Sequence, residues 1–252
     1  MNKYAFVIPV YRHGSTLEGV ICAVERFGYP VIVVDDGNPP ADKQLIQEAA
    51  RKHPCTVLVS LDKNRGKGKA VTQGMIKAYQ MGLTHAFQVD SDGQQDLSKI
   101  EFFLAQADAN PSALICASPE YDASAPRSRV NGRKVALFWI RVVTLSSAMQ
   151  DPLIGFRVYP VEKYCQIARH SIIDSRMGFD LDILAHFSWT GDQILFFPVK
   201  IFYPKDGISN FRAVRDNVRI SFAYARLCVG MFLRFPVLLR RLLKRRGNGA
   251  LV

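Results

Sequence analysis

The 252-residue chain predicts an α/β fold with a mostly parallel central sheet flanked by helices, followed by a basic amphipathic helical tail. Two patterns carry the fold class. Short apolar runs alternate with segments of helical period, the rhythm of βαβ units, and acids or glycines stand at the end of run after run. A third observation, the concentration of charge beyond Phe211, sets the tail apart.

The elements follow in order. Ala5 to Val10 reads as a strand, and Leu17, Val20, Ile21, Val24 and Phe27 as the apolar face of a helix. Ser15-x-x-Glu18 has the form of a capping box, which makes Tyr11 to Gly14 a loop at the carboxyl end of that strand. Val31 to Val34 is a second strand, before a polar helix around Leu45, Ile46 and Ala49. Thr56 to Ser60, a helix over Ala70, Met75 and Ala78, the strand Ala86 to Val89, a helix over Leu97, Ile100 and Leu104, and Ala113 to Ala117 continue the alternation. Tyr121 to Arg133 reads as a mobile loop and Val135 to Met149 as an apolar helix. Ile154 to Tyr159, helices near Val161 to Arg169 and Gly178 to Trp189, and a strand Ile194 to Tyr203 complete a domain of 1–210.

Composition narrows the function classes. The net charge is +11, but beyond Phe211 ten Lys and Arg face one acid, so +9 belongs to the tail and +2 to everything before it. A fold-wide nucleic-acid footprint is therefore not expected. The five cysteines, Cys22, Cys55, Cys116, Cys165 and Cys228, form no Cys-x-x-Cys pair and read as reduced thiols. Tyr4 to Ile8 is too short for a signal peptide, so a cytoplasmic protein is expected.

The chemistry concentrates at strand ends. In open α/β sheets ligands sit outside the carboxyl ends of the strands, so Tyr11, Asp35 and Asp36, Asn64 and Arg65, and Asp90 and Asp92 should converge on one crevice. Asp90-Ser91-Asp92 suits a hard divalent cation, Mg2+ or Mn2+, which takes carboxylates together with substrate phosphates. Asn64-Arg65-Gly66-Lys67-Gly68-Lys69 opens a helix with free backbone N–H groups and cations, a natural place for phosphate. It completes neither a Walker loop nor a dinucleotide fingerprint. Asp36 could accept hydrogen bonds from a base or ribose, or simply close a turn.

Ile8-Pro9-Val10-Tyr11, Val34-Asp35-Asp36-Gly37, Asn64-Arg65-Gly66-Lys67-Gly68, Asp90-Ser91-Asp92-Gly93-Gln94 and Asp151-Pro152-Leu153-Ile154-Gly155-Phe156-Arg157 occur in this order. The set resembles family 2 glycosyltransferases of GT-A fold, closest to the dolichyl-phosphate mannose synthase and polyprenyl-phosphate glycosyltransferase branch, over roughly residues 4–210. The resemblance implies metal contacts from Asp90, Asp92 and Gln94, a nucleoside pocket lined by Pro9, Tyr11 and Asp36, and an acceptor-side acid at Asp182, with Asp180 read as a helix-terminal acid. It also departs from the family pattern: His13 replaces a Glu, Glu120 precedes Tyr121 where Arg is usual, and Gly207-Ile208-Ser209-Asn210 ends in Asn rather than Lys. Arg127, Arg129 or Arg133, with Lys205 and Arg212, are the substitutes considered for acceptor or phosphate contacts.

The implied activity is a metal-dependent, inverting transfer of a sugar from a nucleoside-diphosphate sugar to a polyprenyl phosphate or other membrane-linked acceptor, with Arg65 or Lys67 assisting the diphosphate. A hydroxyl acceptor on a glycolipid, a nucleotidyltransferase, and a degenerate membrane-bound partner protein are the alternatives. In the tail, 211–252, Leu227 to Leu233 is the longest charge-free apolar run, well short of the roughly 20 residues of a bilayer span. The tail is therefore expected to lie on a membrane surface, on the cytoplasmic face, or to pack on the domain, with Pro236 breaking or kinking it.

Overall fold

The computed structural model describes residues 2–120, 127–202 and 213–249, with the backbone alone for 127–130, 213–217 and 245–249. The order is β1 (Tyr4–Val10), α1 (Gly14–Glu25), β2 (Val31–Asp35), α2 (Pro40–Lys52), β3 (Thr56–Ser60), α3 (Lys67–Gln80) and β4 (His85–Gln88). A 3-10 turn at Leu97–Lys99 leads into α4 (Ile100–Ala109), β5 (Leu114–Glu120), α5 (Arg127–Thr144) and β6 (Arg157–Pro160). Then come α6 (Val161–His170), α7 (Phe179–Thr190), β7 (Ile194–Lys200) and α8 (Ala213–Gly249).

The strands form one sheet in the order β3-β2-β1-β4-β6-β5-β7. All pairings are parallel except those of β6, which runs antiparallel between β4 and β5. Alternate residues of each central strand face opposite layers. In β1, Ala5 and Val7 join a core with α3, α6, α7 and α8, whereas Phe6, Ile8 and Val10 join one with α1, α2 and α4. Burial on both faces is why these strands are continuous apolar runs. The chain leaves β1 toward β2 and β3, then returns to β4 on β1's other side, so a crevice opens between the carboxyl ends of β1 and β4.

Several local expectations change. The capping box does not form: α1 starts at Gly14, its N-cap is His13, and the N-cap side chain makes no capping bond. Asp42 instead accepts the Gly14 N–H at 3.1 Å, and Glu18 pairs with Lys52 at 3.0 Å. Arg127 to Arg133, expected within a mobile loop, is the first part of α5, which ends at Thr144 rather than Met149. α8 continues through Pro236 without a break. Tyr121, Lys205, Gly207 to Asn210 and Arg212 lie outside the described residues, as do the side chains of Arg127 and Arg129.

α8 both packs and projects. Ala223, Tyr224, Leu227, Met231 and Leu238 are buried against the body of the protein, while Phe222, Val229, Phe232 and Leu233 are 60–79% exposed. Phe138 of α5 extends this apolar surface at 60% exposure, and Trp139 beside it meets Tyr224 with ring centroids 5.8 Å apart. By length and composition, Val218–Lys244 is long and apolar enough to cross a membrane, because a mostly apolar window tolerates a few arginines that interrupt any charge-free run. Seated as it is, however, the helix commits Arg226, Arg234 and Arg241 to partners in the folded body.

Candidate functional site

Four strand-end loops are hydrogen-bonded into one crevice. After β1, Arg12 adopts a left-handed backbone (φ 61°), and its N–H donates to Asn38 Oδ1 at 2.7 Å. Asn38 Nδ2 in turn donates to Val10 O at 2.8 Å and to Asp35 Oδ1 at 2.7 Å, joining the β1 and β2 loops. Pro9 is buried within β1, and Tyr11 stands half-buried beneath the Arg12 guanidinium, 5.4 Å from its ring centroid.

Asp36 organises the next loop. Its Oδ1 accepts the Arg65 N–H at 2.7 Å, and its Oδ2 accepts the Gly66 N–H at 2.8 Å and Asn64 Nδ2 at 3.0 Å. Burial pushes the Asp36 carboxyl above its ordinary range, although the two backbone N–H groups pull the other way. Gly66 has φ +97°, and a Cβ there would meet Arg176, whose guanidinium donates to Asn64 Oδ1 at 2.7 Å. Asp36 thus holds the Asn64–Gly66 turn and presents Lys67 at the start of α3. Arg65, by contrast, directs its guanidinium outward to Asp62 at 3.1 Å.

Lys67 is the centre of the site. Its Nζ lies 2.9 Å from Asp90 Oδ1 and 3.1 Å from Asp180 Oδ2, joining the end of β4 to the first turn of α7. Burial alone would lower its pKa, but Asp180 and Asp90 outweigh it and hold the ammonium above its ordinary value. The Asp90 carboxyl is raised by burial and by Asp92 and Asp180, against the opposing pull of Lys67. Gln95 grips Asp90 twice, accepting its N–H at 3.0 Å and donating to Oδ2 at 3.1 Å. Asp92 is half-exposed, and its Oδ1 accepts the Gln94 N–H at 3.0 Å.

Gly155 closes the cluster. A Cβ at this position would meet Gln88 Nε2, Lys67 Nζ at 2.6 Å and Asp90 Oδ1 at 2.8 Å, so a bare backbone is required there. Asp151 shapes the same turn by accepting the Leu153 and Ile154 N–H groups at 2.8 and 2.7 Å, and Arg133 pairs with Asp151 at 2.6 Å. Arg133 therefore buttresses this turn rather than standing apart as an acceptor contact.

The geometry redistributes other expected roles. Asp180, not Asp182, faces Asp90 and Lys67. Asp182 is fully buried on the other side of α7, where its Oδ2 accepts the Asp174 N–H at 2.7 Å and pairs with Arg226 of α8. Burial pushes its carboxyl up to about 6 despite that arginine. The side chain bonded to Asp90 belongs to Gln95 rather than Gln94. Gln95 follows Gln94 directly, Asp180 is two residues from Asp182, and Gly155 belongs to the Asp151–Arg157 motif, but which of two neighbours points inward is a tertiary property.

The donor set fits a hard divalent cation. Three carboxylates, Asp90, Asp92 and Asp180, outnumber the two cations beside them, the Lys67 ammonium and the buried Arg157 guanidinium that donates to the Asp180 carbonyl at 2.7 Å, so the cluster keeps a net negative charge among oxygen ligands. Asp90 and Asp92 would hold such an ion.

Residues 5–168 match the family model for glycosyl transferase family 2. A dolichyl-phosphate beta-glucosyltransferase of Dictyostelium discoideum is 28% identical over 169 residues, 63% of this chain and 50% of that protein. A UDP-N-acetylglucosamine–dolichyl-phosphate N-acetylglucosaminyltransferase of Methanococcus voltae is 24% identical over 110 residues, covering 37% and 44%. The chain spans about half the length of these curated relatives. Among solved structures, a glucosyl-3-phosphoglycerate synthase of Mycobacterium tuberculosis, complexed with Mn2+, UDP and glucosyl-3-phosphoglycerate, superposes with a TM-score of 0.64 at 15% identity, over 92% of this chain and 79% of that one. A mannosyl-3-phosphoglycerate synthase of Rubrobacter xylanophilus gives 0.64 at 16%, over 94% and 76%. At such identities the likeness speaks for the fold, which is GT-A as the ordered motifs implied. With the family model covering well over half of its length, the chain belongs to glycosyl transferase family 2.

Proposed function

We propose that this chain catalyses metal-dependent, inverting transfer of a sugar from a nucleoside-diphosphate sugar to a polyprenyl phosphate or another membrane-linked acceptor. The observation that carries the reading is the Lys67–Asp90–Asp180 cluster beside Asp92, set at the switch point of a family 2 chain. Asp90 and Asp92 would hold Mg2+ or Mn2+, which neutralises the departing diphosphate. Lys67 brings a permanent positive charge to the same place, and the turn organised by Asp36 presents it.

Pro9, Tyr11 and the Asp36 turn line the nucleoside side of the crevice. Asp180 takes the acceptor-side role, because Asp182 is sealed against Arg226. Acceptor oxygen attacks the anomeric carbon from the face opposite the diphosphate: the new C–O bond forms as the bond to the phosphate oxygen breaks. A phosphate acceptor, with a second pKa near 6, is already anionic and needs no general base.

The relatives' names support the lipid acceptor, and so does the surface of α8. A helix lying with Phe222, Val229, Phe232 and Leu233 in the headgroup region, flanked by arginines, suits peripheral attachment to the cytoplasmic face of an anionic membrane. The test is a mass-spectrometric screen of UDP-, GDP- and dTDP-sugars against polyprenyl phosphate vesicles, with Mg2+, Mn2+ or chelator. Glycosylated lipid should form with metal and vanish with chelator. Asp92→Asn should abolish transfer, and undiminished turnover in that variant would overturn the assignment.

A further inference from the structure

A second cluster of metal-ligating side chains lies at the opposite end of the sheet from the crevice. Cys22 and Glu25 occupy one face of α1's last turns, and His53 stands between α2 and β3. The His53 backbone is fixed by the Thr56 N–H, which donates to its carbonyl at 2.9 Å, and the Cys55 carbonyl accepts the Val31 N–H at 3.0 Å. His53 Nδ1 lies 2.7 Å from Glu25 Oε2, and Cys22 Sγ lies 3.8 Å from His53 Nε2.

This is the arrangement of a ligating imidazole. A carboxylate on Nδ1 keeps the proton there and turns the Nε2 lone pair outward, the second-shell device of metal-bound histidines. Here Nε2 faces a sulfur. Tetrahedral zinc, with bonds of about 2.3 Å to sulfur and 2.0 Å to nitrogen, sets those donors about 3.5 Å apart, so the observed separation needs only a small contraction. Cys22, His53 and Glu25 each offer a donor atom, all within 4.8 Å of one another. His53 is buried and Cys22 exposed, so the site has a fixed floor and an open mouth. Cys55 Sγ adds a contact to Glu25 Oε2 at 3.9 Å, which steadies the carboxylate.

We propose that Cys22 Sγ and His53 Nε2, oriented by Glu25, bind a borderline-soft divalent cation of the Zn2+, Co2+ or Ni2+ class. Binding breaks the Cys22 S–H bond, forms a sulfur–metal bond and releases the proton to solvent, while water fills the remaining positions. Sulfur and imidazole favour this class, whereas the carboxylates of the crevice suit Mg2+ or Mn2+, and only the Cys22 site offers the thiolate that gives a sulfur-to-metal band.

The test is titration of the full chain with Co2+, read by the thiolate-to-cobalt charge-transfer absorption in the near ultraviolet. The band should saturate and should persist in Asp92→Asn and in Cys228→Ser. It should disappear in Cys22→Ser, an exposed position where the fold is not at stake. Glu25→Gln should weaken binding about tenfold or more, the scale of second-shell losses. Absence of the band, or its survival in Cys22→Ser, overturns the proposal.

Discussion

Arg226→Met tests how the tail is tied to the body. Asp182 is fully buried, and Arg226 is its only cationic partner among the described residues; the Asp174 N–H supplies the other contact, at 2.7 Å. Even with the arginine present, burial lifts the Asp182 carboxyl from 3.8 to about 6. At about 1.36 kcal/mol per pKa unit, ionising it in the folded state costs about 3 kcal/mol at neutral pH. The sign follows from the raised value: below about pH 4 both folded and unfolded chains are protonated and the cost is absent; it grows as pH rises and is complete above about 6.

Removing one partner of a buried pair costs about 3–5 kcal/mol. Arg226 is 37% exposed, which calls for a discount, so a loss of about 2–3 kcal/mol at pH 7.5 is expected, shrinking toward pH 4. Urea unfolding followed by circular dichroism at pH 4.5, 6 and 7.5 measures it. The double variant Asp182→Asn with Arg226→Met should recover most of the loss and flatten this part of the pH profile. A loss below about 0.5 kcal/mol at pH 7.5, or one independent of pH, would refute the argument.

Gly155→Ala puts a methyl group against Lys67 and Asp90, so sugar transfer should fall at least about a hundredfold, while the thermal midpoint, read by calorimetry, moves by only a few degrees. Lys67→Met removes the cation between Asp90 and Asp180; kcat/KM for the donor, from initial-rate kinetics, should drop by about two to three orders of magnitude. Leu233→Asp, at a position 79% exposed, should weaken sedimentation with anionic vesicles about tenfold or more without changing the unfolding midpoint.

Parallel strands buried on both faces leave uninterrupted apolar runs, which is why β1 and β2 stand in the sequence almost to the residue; β3, at the sheet edge and only partly buried, shows instead as a short β-branched run. Pairing direction has no such trace, and nothing local in Arg157–Pro160 marks it as the antiparallel strand between β4 and β5. The acids of the site were legible because they close strands. Their partners were less so: Asp180 and Asp182 lie two residues apart on α7, so they point to nearly opposite faces, and only the docking of that helix decides which one meets Lys67. Ser15 and Glu18 have the right spacing for a capping box, but α1 begins one residue before Ser15, and Asp42 on α2 supplies the acceptor. The arginine-rich stretch before Val135 lacks an apolar stripe, yet it is helical because it extends a segment anchored by Ile140 and Val143.

The double use of α7 has a practical side. A chain shortened at residue 211 to isolate the α/β domain would lose more than an appendage: it would leave a buried acid without its counter-charge and uncover the face of Trp189 on which Arg234 rests at 4.7 Å. Asp182 lies two residues, about 3 Å along the axis, from Asp180. Poor yield or low turnover from such a truncation would therefore report an unseated helix beside the crevice, not the absence of a membrane, and the two are distinguished only by leaving the tail in place and changing its outer face.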